Sequence, residues 1–446
     1  MQMRDKLAAL IDESAGRFRI DRAVYSDPDV FDAELNCFYE GGWLYLCHES
    51  QIKQPGEYFA TRMGRQPVFL VRQKDGSVGG FINACAHRGA TLVPTQSGKV
   101  STFTCRFHGW VFALDGRCMK IKNQESGAYA NPDCRTEWSL TPIPRIDTYR
   151  GFVFGSLRAD VAPLGDYLGP TRPWIDLMVD QSPEGLEVLP GSSTYIVRGN
   201  WKMQAENGVD GYHVSTVHRV FAATVANREA KLGLTGMQRT ESGRLTGNVA
   251  SGGYDFGNGH MAIWAQHTDP TKRPIYQQKE RLERAFTPAK VDWMMNRGRN
   301  LFLFPNLLLM DNPSSQIRTI QPVSCDRAEV TVRCVAPIGE RARRRAGRAC
   351  ANSKISTSRP GWRPPMIWPH SRRRTSAAMA QRRDGTTSLV APTQTSCTAP
   401  KIPMRHRSDR RRPPAPTIGI MKSCTGAFTA TGNSGSWSAH EFSGRQ

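Results

Sequence analysis

Between Glu206 and His218 the chain sets one acid and two histidines within nine residues of each other: Asp210, His213 and His218. Neutral imidazoles suit iron, and two histidines with one carboxylate leave open positions on a divalent iron for oxygen and a substrate. Two of those three ligands are visible here. Asp210 and His213 are three apart and would share a helix face. His213 and His218 are five apart, which separates them by about 140° on a helix of 3.6 residues per turn. A regular helix would not bring both imidazoles to one metal, so a helix that ends or distorts between them is predicted. Taken alone, the stretch also fits a helix that happens to carry two histidines and an acid.

A second set lies upstream. Cys85-Ala86-His87-Arg88-Gly89 and Cys105-Arg106-Phe107-His108-Gly109-Trp110 each supply one thiolate and one imidazole, on what read as two loops at strand ends. A structural zinc finger normally has both cysteines before both histidines, so mixed halves fit it poorly. In Rieske 2Fe-2S centres two cysteines hold one iron and two histidines the other, which raises the reduction potential. The arrangement resembles that motif, including the flanking Arg-Gly and Gly-Trp. Cys118 and Cys134 have no further ligand at suitable spacing and read as buried thiols acting as small apolar residues.

The elements that must position these groups are of two kinds. Asp27-Pro28, followed by Phe31, Leu35 and Phe38 and then Gly41, gives a cap, an initial proline, helical apolar spacing and a stop. From Trp43 short alternating runs take over, such as Pro67–Val71 and Gly80–Asn83 around the turn Asp75-Gly76, and these read as antiparallel hairpins. Residues 163–193, rich in Gly and Pro, read as a connecting segment. Strands are then expected at 194–197, 301–304, 315–320 and 330–335, and Asn200 caps a helix that begins at Trp201. Lys279 to Phe286 reads as a helix with a solvated charged face. The fold class is α+β: an N-terminal helical segment over 1–42, a small antiparallel β domain over 43–158, and a second domain on an antiparallel sheet over 159–340.

Charge separates the last part of the chain from the rest. Of the 446 residues, the final 106 hold 21 of the 60 Lys and Arg but only Asp384, Asp409 and Glu441 as acids, a net +18 within the total of +21. The first 340 residues are thus near neutral, which argues against a nucleic-acid-binding body. Met1 to Phe18 carries charges throughout and does not read as a secretory leader, and the most apolar run, 301–310, is broken by Pro305. A cytoplasmic protein without membrane contact is expected, with its eleven cysteines as ligands or buried thiols.

Together the two sites resemble the large subunit of Rieske non-haem iron ring-hydroxylating oxygenases. The wording from Asn207 to His218, with Ile82-Asn83-Ala84-Cys85 and Arg88-Gly89-Ala90-Thr91-Leu92, is similar to the benzoate, toluate and anthranilate 1,2-dioxygenase branch. The resemblance runs from about Asp21 to Gly339. It implies a Rieske domain, a helix-grip-like catalytic domain, a small β subunit in an α3β3 assembly, and an NADH-dependent flavin and iron–sulfur reductase. It further implies that Cys85, His87, Cys105 and His108 hold the 2Fe-2S cluster and that His213 and His218 ligate a mononuclear Fe(II). Asp210 would bond His213 and, across a subunit boundary, His108 of a neighbour. The implied reaction uses O2 to convert an aromatic carboxylate to a cis-dihydrodiol. Monooxygenation or demethylation is the rival within the class.

The resemblance also calls for a third, carboxylate ligand beyond the sheet, and none is legible there. After about Gly339 the chain loses apolar periodicity and reads as a basic, disordered tail. A slipped reading frame, with the break between about 335 and 350, accounts for both changes. Met366-Ile367 is encoded by ATG and then AT with a third base, so reading from the last base of the Met codon gives GAT, an Asp whatever the codon choice. Little turnover is therefore expected from the chain as written, since only chance would let His370 or Asp384 substitute. The competing reading is a catalytically dead, truncated homologue that retains only the electron-transfer cluster.

Overall fold

The computed structural model describes residues 3–12, 19–126, 137–217, 249–312 and 315–338. His218, Cys134 and the whole basic tail lie outside these residues. Near the N-terminus a two-residue hairpin, β1 (Ile11–Asp12) with β2 (Arg19–Ile20), precedes the short Ala23–Ser26 helix. The Asp27 carboxylate then accepts from the N–H groups of Asp29 and Val30, and Pro28 opens the Pro28–Glu34 helix. Proline fits there because its missing N–H would have had no intrahelical partner. The helix widens into a π turn over Leu35–Tyr39 and buries Val30, Phe31, Leu35 and Tyr39.

Antiparallel strands follow: β3 (Leu44–His48), β4 (Glu57–Met63), β5 (Gln66–Arg72), β6 (Val78–Ile82), β7 (Ser97–Lys99), β8 (Phe103–Thr104), β9 (Val111–Phe112) and β10 (Cys118–Lys120). Two more, β11 (Arg145–Tyr149) and β12 (Phe152–Ser156), complete this part. They form sheets in the orders β6-β5-β4-β7, β10-β9-β8 and β11-β12-β3. The β5–β6 turn closes at Gly76, whose φ of +86° favours a residue without Cβ. Phe69, Phe81, Phe103, Phe112 and Trp110 fill a core that also takes in Cys85, Cys105 and Cys118.

The second part is an eight-stranded antiparallel sheet. β13 (Leu186–Val188) and β14 (Ser193–Val197) both pair with β20 (Arg327–Pro337). The order then continues through β19 (Ser315–Ser324), β18 (Leu307–Asp311), β17 (Arg297–Leu303), β16 (Met261–Gln266) and β15 (Ser251–Asp255). Side chains alternate across it. Phe302, Leu308, Ile320, Val330 and Val332 face the Trp201–Gly208 helix, packing on Trp201, Ala205 and Val209. Leu301, Leu303, Leu307, Leu309 and Ile317 face the Arg172–Val179 and Pro288–Asn296 helices. Helices thus cover both faces. No helix among the described residues is long and apolar enough to cross a membrane.

Residues 163–193 differ from the expected connecting segment. They form the Leu164–Leu168 and Arg172–Val179 helices and β13, with Trp174, Ile175, Leu177 and Met178 buried. The prolines and glycines sit at helix starts and turns, where they are tolerated, so composition hid an amphipathic helix. The helix at 201 is where the sequence placed it, with Asn200 accepting from the Lys202 N–H at 3.0 Å. Asp210 and His213, in contrast, share no helix face: the helix ends at Gly208, and the next described helix is Val214–Val217.

The N-terminal segment holds the 201–208 helix through charge. Lys202 Nζ donates to Glu34 Oε1 at 2.6 Å and to Oε2 at 2.8 Å, and Trp201 Nε1 donates to the same carboxylate at 2.8 Å. Burial pushes the Glu34 carboxyl up and the Lys202 ammonium down, each opposed by the other's charge. Breaking one side of such a pair strands the other charge. Lys202→Met is expected to cost about 3–5 kcal/mol in denaturant unfolding, with Glu34→Leu/Lys202→Met recovering most of that loss.

Two buried histidines set an acid limit. His260 accepts from the Phe304 N–H through Nδ1 and donates from Nε2 to the Tyr167 carbonyl, so the neutral ring is satisfied. His48 Nδ1 accepts from the Ser50 N–H. Burial brings both imidazoles down to about 4 from 6.5. Their contribution is fully present above pH 6.5 and is lost as pH falls toward 4, by about 3 kcal/mol each. Unfolding free energies measured between pH 4 and 8 should show that loss, and His260→Gln should flatten part of it.

Candidate redox and iron centres

The two Cys/His loops have the same backbone. In the first, the Cys85 N–H donates to Ala90 O at 2.8 Å and the Gly89 N–H to Cys85 O at 2.8 Å. In the second, the Cys105 N–H donates to Trp110 O at 2.8 Å and the Gly109 N–H to Cys105 O at 2.9 Å. Gly89 and Gly109 both have φ of +71°, a conformation that side chains with Cβ resist. One loop follows β6 and the other joins β8 to β9. Asn83 fixes the first at its base, donating to Val93 O and accepting from the N–H groups of Leu92 and Val93.

Folded this way, the loops bring like donors together. The thiols of Cys85 and Cys105 are near enough that Cys105 helps to raise the Cys85 thiol, and both are buried in the domain core. The rings of His87 and His108 are 4.6 Å apart and half-buried at the rim. Trp110 stacks on His87 at 4.7 Å and 5°, fixing the ring plane. Burial pushes the Cys85 thiol up to about 11, against backbone N–H groups of His87 and Arg88 that favour the thiolate. Burial, with the neighbouring His108 and Arg88, pulls His87 down, so it stands neutral as a ligand must. Thiol beside thiol and imidazole beside imidazole fit a binuclear cluster with one pair on each iron.

The second centre starts where the 201–208 helix ends. Asn300 Nδ2 donates to Gly208 O at 2.9 Å, tying that end to β17. The Asp210 carboxylate accepts from the Tyr212 N–H at 2.7 Å, which turns the chain, and from His213 Nδ1 at 2.8 Å. That second bond fixes the tautomer with the Nε2 lone pair of His213 unprotonated, and Asn207 Nδ2 donates to it at 3.3 Å. Partial burial pushes Asp210 up, but the bonds from His213 and Tyr212 outweigh it and hold the carboxyl below its ordinary range. No three His, Cys, Asp or Glu among the described residues converge on a single ion. A binuclear cluster needs only pairs, and His218 is outside those residues.

Comparison with known proteins gives this geometry its family. Residues 42–144 match the Rieske [2Fe-2S] domain, and residues 186–358 match the ring hydroxylating alpha subunit catalytic domain. The chain is 49% identical over 334 residues to the toluate 1,2-dioxygenase subunit alpha of Pseudomonas putida, covering 75% of this chain and 73% of that one. It is 41% identical over 337 residues to the 2-halobenzoate 1,2-dioxygenase large subunit of Burkholderia cepacia, with 74% and 70% covered. The chain belongs to the ring-hydroxylating dioxygenase large subunits. The anthranilate 1,2-dioxygenase large subunit of Acinetobacter baylyi is 40% identical over 341 residues, covering 75% and 72%. A solved naphthalene 1,2-dioxygenase with indole bound shares the fold, with a TM-score of 0.64 at 24% identity over 75% of each chain.

The family of dioxygenase large subunits takes a Rieske 2Fe-2S cluster and a mononuclear iron. The described residues bring together Cys85, Cys105, His87 and His108, and separately Asp210 and His213. The structure also shows two residues that the sequence reading left without a role. Asn207 bonds Nε2 of His213, and Asn300 holds the helix end; the position of Asn207 within the 206–218 stretch was the available signal. If the paired thiols hold one iron, Cys105→Ser should abolish the visible absorption of the cluster. It should also remove about two irons per chain, while far-ultraviolet circular dichroism stays native.

Proposed function

We propose that the chain is the catalytic subunit that dihydroxylates an aromatic carboxylate of the benzoate class to its cis-dihydrodiol. What carries this reading is its similarity to toluate, 2-halobenzoate and anthranilate dioxygenases, all named for aromatic acids. O2, two electrons and two protons combine with the ring, and the electrons come from NADH through a flavin and iron–sulfur reductase. A small β subunit and an α3β3 assembly in the cytoplasm complete the proposal, with the domain division at 43–158 and 159–340.

Cys85, His87, Cys105 and His108 hold the cluster in this reading, and His213 with His218 hold the mononuclear iron. Bound there, the cluster passes single electrons and the iron activates O2 toward the ring. The protein's part is placement. Asp210 keeps His213 in one tautomer and orientation, and the helix clamp on Lys202 sets where that histidine starts. Replacing a partner such as Asp210 by Ala is expected to lower affinity for the mononuclear iron about 10- to 100-fold.

The slipped frame belongs to the same proposal. Sequencing the gene across codons 330–370, with an intact mass compared against 49.7 kDa, tests it directly. With the frame restored and a reductase supplied, benzoate or toluate should yield the cis-dihydrodiol with one O2 consumed per NADH. The chain as written should hold the two cluster irons without the third and turn over little. A phenol or a demethylated product would overturn the reaction assigned, and substantial turnover by the unaltered chain would overturn the need for a restored frame.

A further inference from the structure

Partners in an antiparallel pair project to the same face, so the register of the sheet names what faces the 201–208 helix. One row across it is Asn300, Met310, Gln316 and Cys334, and the next is Phe302, Leu308, Arg318 and Val332. Gly208 rests on this second row, where a Cβ would come within 2.6 Å of both Leu308 methyl carbons. Arg318 is the direct cross-strand partner of Leu308. The guanidinium is therefore one strand away from the helix end that leads to Asp210 and His213. It also lies beside the Tyr195 hydroxyl, which donates to Gln204 of that helix at 3.4 Å.

Three buried cations around this sheet have their acids. Lys202 has Glu34, Arg299 has Asp311, and Lys290 has Asp180 at 2.6 Å. Arg333, on the opposite face, lies over the Phe59 ring at 5.2 Å. Arg318 has no carboxylate within ion-pair distance among the described residues. Its Nε donates to Gln316 Oε1 at 3.0 Å, which orients the planar group and leaves both Nη atoms for another acceptor. Arg318 is half-buried rather than sealed off, so its guanidinium, with no counter-charge from the described residues, is open to an anionic ligand. A guanidinium offers parallel donors matched to a carboxylate, and Met310, half-buried in the neighbouring row of the same face, provides apolar surface for a ring.

We propose that Arg318, positioned by Gln316, is the anchor for the carboxylate of the aromatic acid. This rests on the aromatic-acid reading above and names the residue that would enforce it. Isothermal titration of the cluster-loaded chain with benzoate and with its neutral analogue benzamide tests both, without needing turnover. The unmodified chain should bind benzoate more tightly than benzamide. Arg318→Gln should weaken benzoate on the order of 10- to 100-fold and leave benzamide unchanged. Arg318→Lys should retain part of the preference, and Arg327→Gln, which removes an exposed charge from the same sheet, should have no effect. Equal binding of benzoate and benzamide by the unmodified chain overturns the anchor, whether or not a variant folds. Benzoate binding that survives Arg318→Gln overturns Arg318 alone, and no binding of any aromatic acid by the frame-restored chain overturns the substrate class itself.

Discussion

The buried ion pair between Glu34 and Lys202 is the constraint on which the iron centre depends. Both side chains are almost wholly inside, at 4% and 1% exposure, so neither charge has water as an alternative partner. The pair joins the end of the Pro28–Glu34 helix to the first turn of the Trp201–Gly208 helix, 168 residues later. Tyr25 adds a second tie, donating to Glu206 at 2.7 Å one turn further on. The sheet supplies the floor, through Leu308 beneath Gly208 and Asn300 on its carbonyl. With its start, middle and end held by three different parts of the chain, the helix delivers Asp210 and His213 to a fixed place.

The cluster loops solve a different problem, because their ligands come from two separate strand ends. Each loop closes on itself by the same two backbone bonds and the same left-handed glycine, so each is a rigid unit before any iron is bound. Packing then decides polarity: the cysteines enter the aromatic core while the histidines stay at the rim. Unequal spacing, Cys-x-His in one loop and Cys-x2-His in the other, does not disturb this, since the closing bonds run from cysteine to the residues four and five positions on. A thiol pair inside and an imidazole pair outside orient the site so that its histidine side faces outward.

Local chemistry was legible in the sequence wherever one residue decided the backbone. Asp27-Pro28 and Asn200 start helices where read, Asp75-Gly76 turns a hairpin, and the alternation at 330–335 lies within β20. The two Cys/His segments could be paired because their residue types repeat. What escaped was set by long-range contact. Residues 163–193 looked like a linker because glycine and proline dominate the count, although Trp174, Ile175, Leu177 and Met178 carried a helical apolar signal. The partnership of Glu34 with Lys202 leaves no local trace, and the place of Arg318 on the helix-facing side emerges only from strand register. Asp210 and His213 meet as expected, yet through a turn built on the Asp210 carboxylate rather than along a helix.

The exposure of side chains beside the two centres bears on how they communicate. Phe107, next to His108, is 64% exposed, and Tyr212, next to His213, is 81% exposed. Large aromatics left in water beside functional groups are surfaces that another chain can cover with gain, since removing apolar area from water is favourable. The Asp210 carboxylate, with its side chain 37% exposed, lies between Tyr212 and His213 in the same turn. In the proposed assembly a neighbouring chain's cluster edge would meet this turn, burying both aromatics. The low pKa of Asp210 then matters physically: a carboxylate already committed to the His213 proton keeps its charge when water leaves, and a charged acceptor is what an imidazole N–H from a neighbour requires. The same two bonds that turn the chain thus also hold the carboxylate in its charged form.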